Sequence, residues 1–142
     1  MPYDLPDWVN DPSTASPLNE TNLEKINTAI NGLDTRTLLL EGALNTQTGT
    51  TYTTVLADAG KTVERSNAAA NTITIPPNSS VNYPIGTVIL IRQMGAGTTT
   101  VAPGSGVTIR SRGSLLALAG QYAEAVISKR ATDEWVLSGD LT

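Results

Sequence analysis

Three short clusters in this sequence hold residue types able to do chemistry. Gly60-Lys61-Thr62 ends like a phosphate-binding loop, where backbone N–H groups cradle phosphates and a Lys reaches the terminal oxygens. That loop needs glycine at position 55, where Val55 stands, and a helix after the Thr, where this chain reads as strand. Asp133-Glu134 is the one adjacent acidic pair, and acid/base work needs two carboxylates that converge. Strand neighbours point to opposite faces, so this pair reads as solvated turn residues. Arg110 and Arg112 are two apart and share a face on a strand, and Lys129-Arg130 follows another strand. They form a candidate patch for an anionic polymer, but aromatic stacking partners are scarce and solvated charge is the simpler reading. Tyr52, Tyr83 and Tyr122 complete, with Arg110 and Arg112, the candidate surface-ligand residues.

Composition narrows the chemistry further. The chain has 142 residues and neither His nor Cys. That removes disulfides, thiolate sites, nearly all zinc chemistry, every His-based triad and the commonest general base. The expectation is a non-enzyme with no cofactor and no metal. Net charge is -4, so the chain as a whole offers no electrostatic footprint for nucleic acid. No apolar run approaches the ~18–20 residues of a membrane span, and the acidic, proline-bearing start is unlike a secretory signal. There is no Phe, and aromatic residues make up only 4%. The core must be built from Val, Ile, Leu and Ala, and so small a core favours oligomerisation.

The elements that must position these residues fall into three parts. Residues 1–45 carry seven acids and two bases, whereas 46–142 carry six acids and seven bases and are rich in Thr, Val, Gly and Ala. Residues 1–17 hold Pro2, Pro6, Pro12 and Pro17, a spacing that forbids helix and central strand alike. Their apolar residues Tyr3, Leu5, Trp8 and Val9 suit an extended docking arm, since Trp and Tyr supply large contact area with few rotors. Residues 18–45 predict a helix. Leu23, Ile26, Ile30, Leu33, Thr37, Leu40 and Leu44 keep an unbroken heptad register, with a positions at 23, 30, 37 and 44. Asn19 suits its N-cap, and Glu20 and Glu24 suit the positive end. Isoleucine at both a and d leans toward three strands. Gly32 and Gly42 weaken the helix by about 1 kcal/mol each, which the six apolar seam residues offset only when buried against a partner, at roughly 9–18 kcal/mol. Leu38 and Leu39 lie off the seam, on a face suited to meet the next domain.

Residues 46–142 predict an all-β domain, an antiparallel sandwich or barrel. Strand candidates are Tyr52–Leu56, Lys61–Arg65, Thr72–Ile75, Thr87–Gln93, Thr98–Ala102, Val107–Ser111, Ala123–Ser128 and Glu134–Leu137. Each is short, β-branched and bounded by turn residues. Gly95-Ala96-Gly97 and Gly104-Ser105-Gly106 lie between strand candidates and read as hairpin turns. Val88-Ile89-Leu90-Ile91 does not alternate and reads as a central strand covered on both faces.

The pieces Ile75-Pro76-Pro77-Asn78, Pro84-Ile85-Gly86-Thr87-Val88-Ile89, Gly106-Val107-Thr108-Ile109-Arg110, Ala119-Gly120-Gln121-Tyr122-Ala123 and Trp135-Val136-Leu137-Ser138-Gly139-Asp140-Leu141 occur in an order that resembles a β domain of bacteriophage fibre-like and other virion structural proteins. Trp8, followed by Pro17-Leu18-Asn19-Glu20-Thr21-Asn22-Leu23, is similar to the start of many such fibres. The resemblance implies a homotrimeric, non-enzymatic virion component, assembled in a host cytoplasm. It implies other capsid or tail proteins as partners, with a host cell-surface glycan as a further candidate, and neither nucleic acid nor membrane. It transfers no catalytic residue, and Trp135 becomes a core anchor of the final strand. Because the sequence ends with the β domain, a capsid decoration or short head fibre fits better than a long tail fibre or a minor tail protein.

Overall fold

The computed structural model describes residues 23–29 and 44–142. The chain divides into two units, Met1–Leu38 and Leu39–Thr142. In the first, residues 23–29 form a helix, α1, on which Leu23 and Ile26 stand half exposed. The remaining seam positions Ile30, Leu33, Thr37 and Leu40 lie outside the described residues, as do the arm residues Tyr3, Leu5, Trp8 and Val9. No described helix is long and apolar enough to cross a membrane.

The second unit is mainly β. Its strands are β1 (Leu44–Gln47), β2 (Thr51–Thr53), β3 (Thr62–Arg65), β4 (Asn71–Ile75), β5 (Val88–Gln93), β6 (Thr99–Pro103), β7 (Thr108–Ser111), β8 (Glu124–Ala131) and β9 (Glu134–Gly139). Leu44 is therefore a strand residue and not the last position of a heptad seam. A single residue fits both patterns, and Thr46 and Gln47 pair with Glu64 and Arg65 in the ladder. The expected strand Tyr52–Leu56 ends early, because Leu56–Asp58 turns as a short 3-10 helix.

Two sheets result. Sheet A has the order β1-β3-β5-β8-β9-β7, and sheet B the order β2-β4-β6. The chain passes from A to B and back, laying each strand parallel beside the one before last: β1 beside β3, β3 beside β5, β2 beside β4 and β4 beside β6. β7 also lies parallel to β9, and only β5–β8 and β8–β9 are antiparallel. The two-sheet sandwich is thus a stack of parallel coils closed by a hairpin, not the antiparallel arrangement expected. Alternation of apolar residues has a period of two in either direction, so pattern alone does not separate the two.

Both sheets share one core. Sheet A contributes Val63, Ile89, Ile91, Ala125, Ile127, Trp135 and Leu137, and sheet B contributes Ile73, Ile75 and Val101. Aliphatic residues dominate, as the composition requires, with Trp135 and Tyr83 as large additions whose rings meet edge to face at 5.3 Å. β5 is central, but only its Ile89 and Ile91 face is sealed; Val88 is exposed and Leu90 half-buried on the outer face.

The glycine clusters do a different job from the one expected. β5 and β6 belong to different sheets, so Gly95 and Gly97 lie in a crossover and not in a hairpin turn. They pass directly against the crossover of the coil before: a Cβ on Gly95 would lie 2.0 Å from the Asn67 carbonyl oxygen, and one on Gly97 would lie 2.0 Å from that of Ala69. Gly104 meets Ile75 and Pro76 in the same way, again between strands of different sheets. A side chain in any of these places would part the coils.

Candidate interaction surfaces

Polar groups inside the coil stack are spent on holding neighbouring coils together. Arg65 is fully buried. Its Nε donates to Asn71 Oδ1 at 3.1 Å, its Nη2 donates to the Gly49 carbonyl at 2.7 Å, and its guanidinium lies 5.9 Å from the Tyr52 ring centroid. Burial pulls its pKa below the usual arginine value. Asn71 Oδ1 also accepts from Thr99 Oγ1, and Thr99 N–H donates to Gln93 Oε1, which carries the network into the third coil. One buried donor of this network, Arg65 Nη1, has no hydrogen-bond partner among the described residues.

Tyr52 and Asp58 make a second knot. The Tyr52 hydroxyl donates to Asp58 Oδ2 at 2.8 Å, and the same oxygen accepts the Val55 N–H. Asn45 Nδ2 donates to Asp58 Oδ1 at 2.6 Å, tying β1 to the turn. Tyr83 is 1% exposed and donates to the Val55 carbonyl at 2.6 Å. Two of the three tyrosines expected at a ligand surface are thus engaged by the fold: Tyr83 is buried edge to face against Trp135, and Tyr52 is half-buried with its hydroxyl committed to Asp58. Only Tyr122 is open, 67% exposed, with its backbone held at φ +70°, a conformation that costs an L-residue about 1 kcal/mol or more.

Burial pushes the Tyr52 phenol up to about 12, helped by the Asp58 carboxylate, and burial pushes Tyr83 up to about 12 as well. In the unfolded chain both ionise near pH 10. Stability from the neutral phenols is therefore full below about pH 10 and is lost as pH rises through 12. In the folded protein at pH 11, ultraviolet difference spectra against Tyr52→Phe and Tyr83→Phe should show only about a tenth of either residue as tyrosinate. Both signals should appear together on unfolding.

The acidic pair of the β8–β9 turn is also structural. Asp133 takes φ +55°, and its Oδ1 accepts the Asn78 N–H at 2.6 Å. Lys129 is buried, donates to Asn78 Oδ1 and to the Tyr83 carbonyl, and lies 6.0 Å from the Trp135 ring centroid. The Pro-Pro-Asn turn is thereby locked to the hairpin from two sides. Glu134 is not a free solvated turn residue either: it pairs with Arg110 and, at 2.9 Å, with Arg130. The hydrogen bond from Arg110 holds its carboxyl below the usual range.

Arg110 and Arg112 do not share a strand face. Arg110 lies on β7, while Arg112 opens the 3-10 turn Arg112–Ser114. Both nevertheless line a groove of about 660 Å³ floored by Val136, Leu137, Leu115 and Leu141. Arg112 has no ion pair among the described residues. Among those residues, no cluster of three or more His, Cys, Asp or Glu could hold a metal ion.

A further group of charges lies on the outer face of sheet A. Glu64, Arg92 and Glu124 stand side by side on β3, β5 and β8, with Arg92 bridging both carboxylates, the Glu64 contact at 3.0 Å. Residues so far apart in sequence give no local signal, and only the strand register brings them together. No family model matches the chain, and a search of curated proteins finds no similar sequence.

Proposed function

We propose that this protein is a non-enzymatic structural subunit of a bacteriophage particle, a homotrimeric capsid decoration or short fibre attached through its N-terminal arm. One observation carries the reading: the body commits its buried charged groups to packing, while the outer face of its larger sheet leaves Leu44 and Val88 exposed between two clusters of paired charges. Such a surface is suited to assembly, because exposed apolar residues supply burial against a partner and charges of both signs supply register. Leu23 and Ile26, half exposed on α1, fit a helix that also meets partners. Three copies would give a weak arm avidity without new contacts.

Deleting residues 1–17 is expected to leave a soluble trimer by light scattering that no longer co-sediments with particles. Retained binding would remove the arm from the attachment, and a monomeric mass for the intact chain at micromolar concentration would overturn the association.

A second reading, a minor tail or tail-fibre module that binds host-surface carbohydrate, is favoured by the groove beside Arg110 and Arg112. It predicts glycan binding that Arg112→Ala abolishes while the circular dichroism spectrum stays unchanged.

A further inference from the structure

We propose that the outer face of sheet A is the surface on which copies of this chain pack, with the basic corner of one copy meeting the acidic corner of the next. The proposal rests on the homotypic association above and assigns it a place.

The register lays out the face. One row crosses the sheet as Leu44, Thr62, Leu90, Val126 and Ser138, paired strand to strand from β1 to β9. The next row holds Val88, Ser128, Val136 and Arg110. Leu44 is 55% and Val88 45% exposed. No described element of this unit lies over them; the core is on the opposite face. Burying the apolar members of these rows, Leu44, Leu90, Val126, Val88 and Val136, is the main favourable term in association.

Charge lies at two diagonal corners. Toward the β1 edge, Arg92 sits between Glu64 and Glu124, which leaves one negative charge in excess. Toward the β7 edge, Glu134 sits between Arg110 and Arg130, which leaves one positive charge in excess. Glu124 begins β8 and Arg130 stands near its end, so Val126 and Ser128 of the two rows lie between the corners on that strand. An unrelated partner would have to supply both signs at the right spacing, whereas a second copy carries them already. In a closed ring each corner is satisfied once by its neighbour. Ion pairs that are largely exposed, such as Arg110 and Arg130 with Glu134, add little energy, so these corners set register and partner while the apolar residues of the rows supply burial.

Inverting a corner as a unit keeps its internal pairing and reverses its excess charge. The acidic corner is inverted by Glu64→Arg, Arg92→Glu and Glu124→Arg, the basic corner by Arg110→Glu, Glu134→Arg and Arg130→Glu. Sedimentation equilibrium on the full-length chain should find that either inversion alone raises the dissociation constant about ten-fold or more, because like charges then meet. The doubly inverted chain should recover the original association. Where an inverted chain does not fold, Glu124→Gln and Arg130→Gln take its place, and each should weaken association and flatten its dependence on salt. A trimer whose dissociation ignores all of these changes would overturn the face and leave the trimer standing. An intact chain that is monomeric at micromolar concentration would overturn both.

Discussion

Replacing Trp135 with alanine is expected to lower the unfolding free energy by about 3–5 kcal/mol, the range for removing a large buried aromatic. Trp135 is 1% exposed and lies where the closing hairpin meets the coil stack. Its removal deletes the edge-to-face contact with Tyr83, worth about 0.5–1.5 kcal/mol beyond area. It also strips the aromatic face from beside the buried Lys129 ammonium, which retains only Asn78 and the Tyr83 carbonyl. Because small domains hold only about 5–15 kcal/mol in total, much of the stability is at stake. Trp135→Phe keeps a ring in the same place and should cost less than half as much. Circular dichroism against urea measures both, and equal midpoints for Trp135→Ala and the parent would refute the core role.

Gly97→Ala is the second large effect, and it acts through backbone alone. The added Cβ would lie 2.0 Å from the Ala69 carbonyl oxygen and 2.2 Å from its carbon. Neither atom belongs to a flexible side chain, so the two crossovers must separate. Separation breaks the Gly97 N–H bond to the Asn67 carbonyl, 3.0 Å long, and pulls the Gly97 carbonyl from Asn71 Nδ2. A loss of about 3 kcal/mol or more is expected, at the upper end of overpacking effects. Two other glycines serve as internal standards. Gly60 has φ +75° and no neighbour within 4 Å of its added Cβ, so Gly60→Ala should cost only the roughly 1–2 kcal/mol of a left-handed backbone. Gly120 has open space and no positive φ, so Gly120→Ala should stay within about 0.5 kcal/mol. The order of the three denaturation midpoints tests the stacked-coil account. Gly97→Ala behaving like Gly120→Ala would contradict it.

The same comparison shows where sequence reasoning failed in this chain. Val63, Ile73, Ile75, Ile89 and Ile91 were legible as strand residues, because β-branched residues in short runs between turns leave few alternatives, and the two sheets turn all five inward. Gly95 and Gly97 were legible as a turn but not as a coil contact. Their neighbours, Asn67 and Ala69, come from another crossover, and nothing local marks that approach. Tyr83 looked exposed because it sits among Pro, Ser and Asn, a composition typical of surface loops. Its hydroxyl finds the Val55 carbonyl, and that partner lets the ring turn inward. Leu44 kept heptad spacing by coincidence, while Thr46 and Gln47 next to it are better suited to a ladder than to a helix.

Sequence by itself determined that the chain has no His or Cys chemistry and that its second part is β. These follow from residue type and from period, which are local properties. Tertiary structure decided that the strands run mostly parallel, that the glycines space the coils, and that six charged residues form two opposed corners on one open face. Those follow from which strand lies beside which. Strand order depends on crossovers that bring distant residues together, and neither alternation nor composition carries that information.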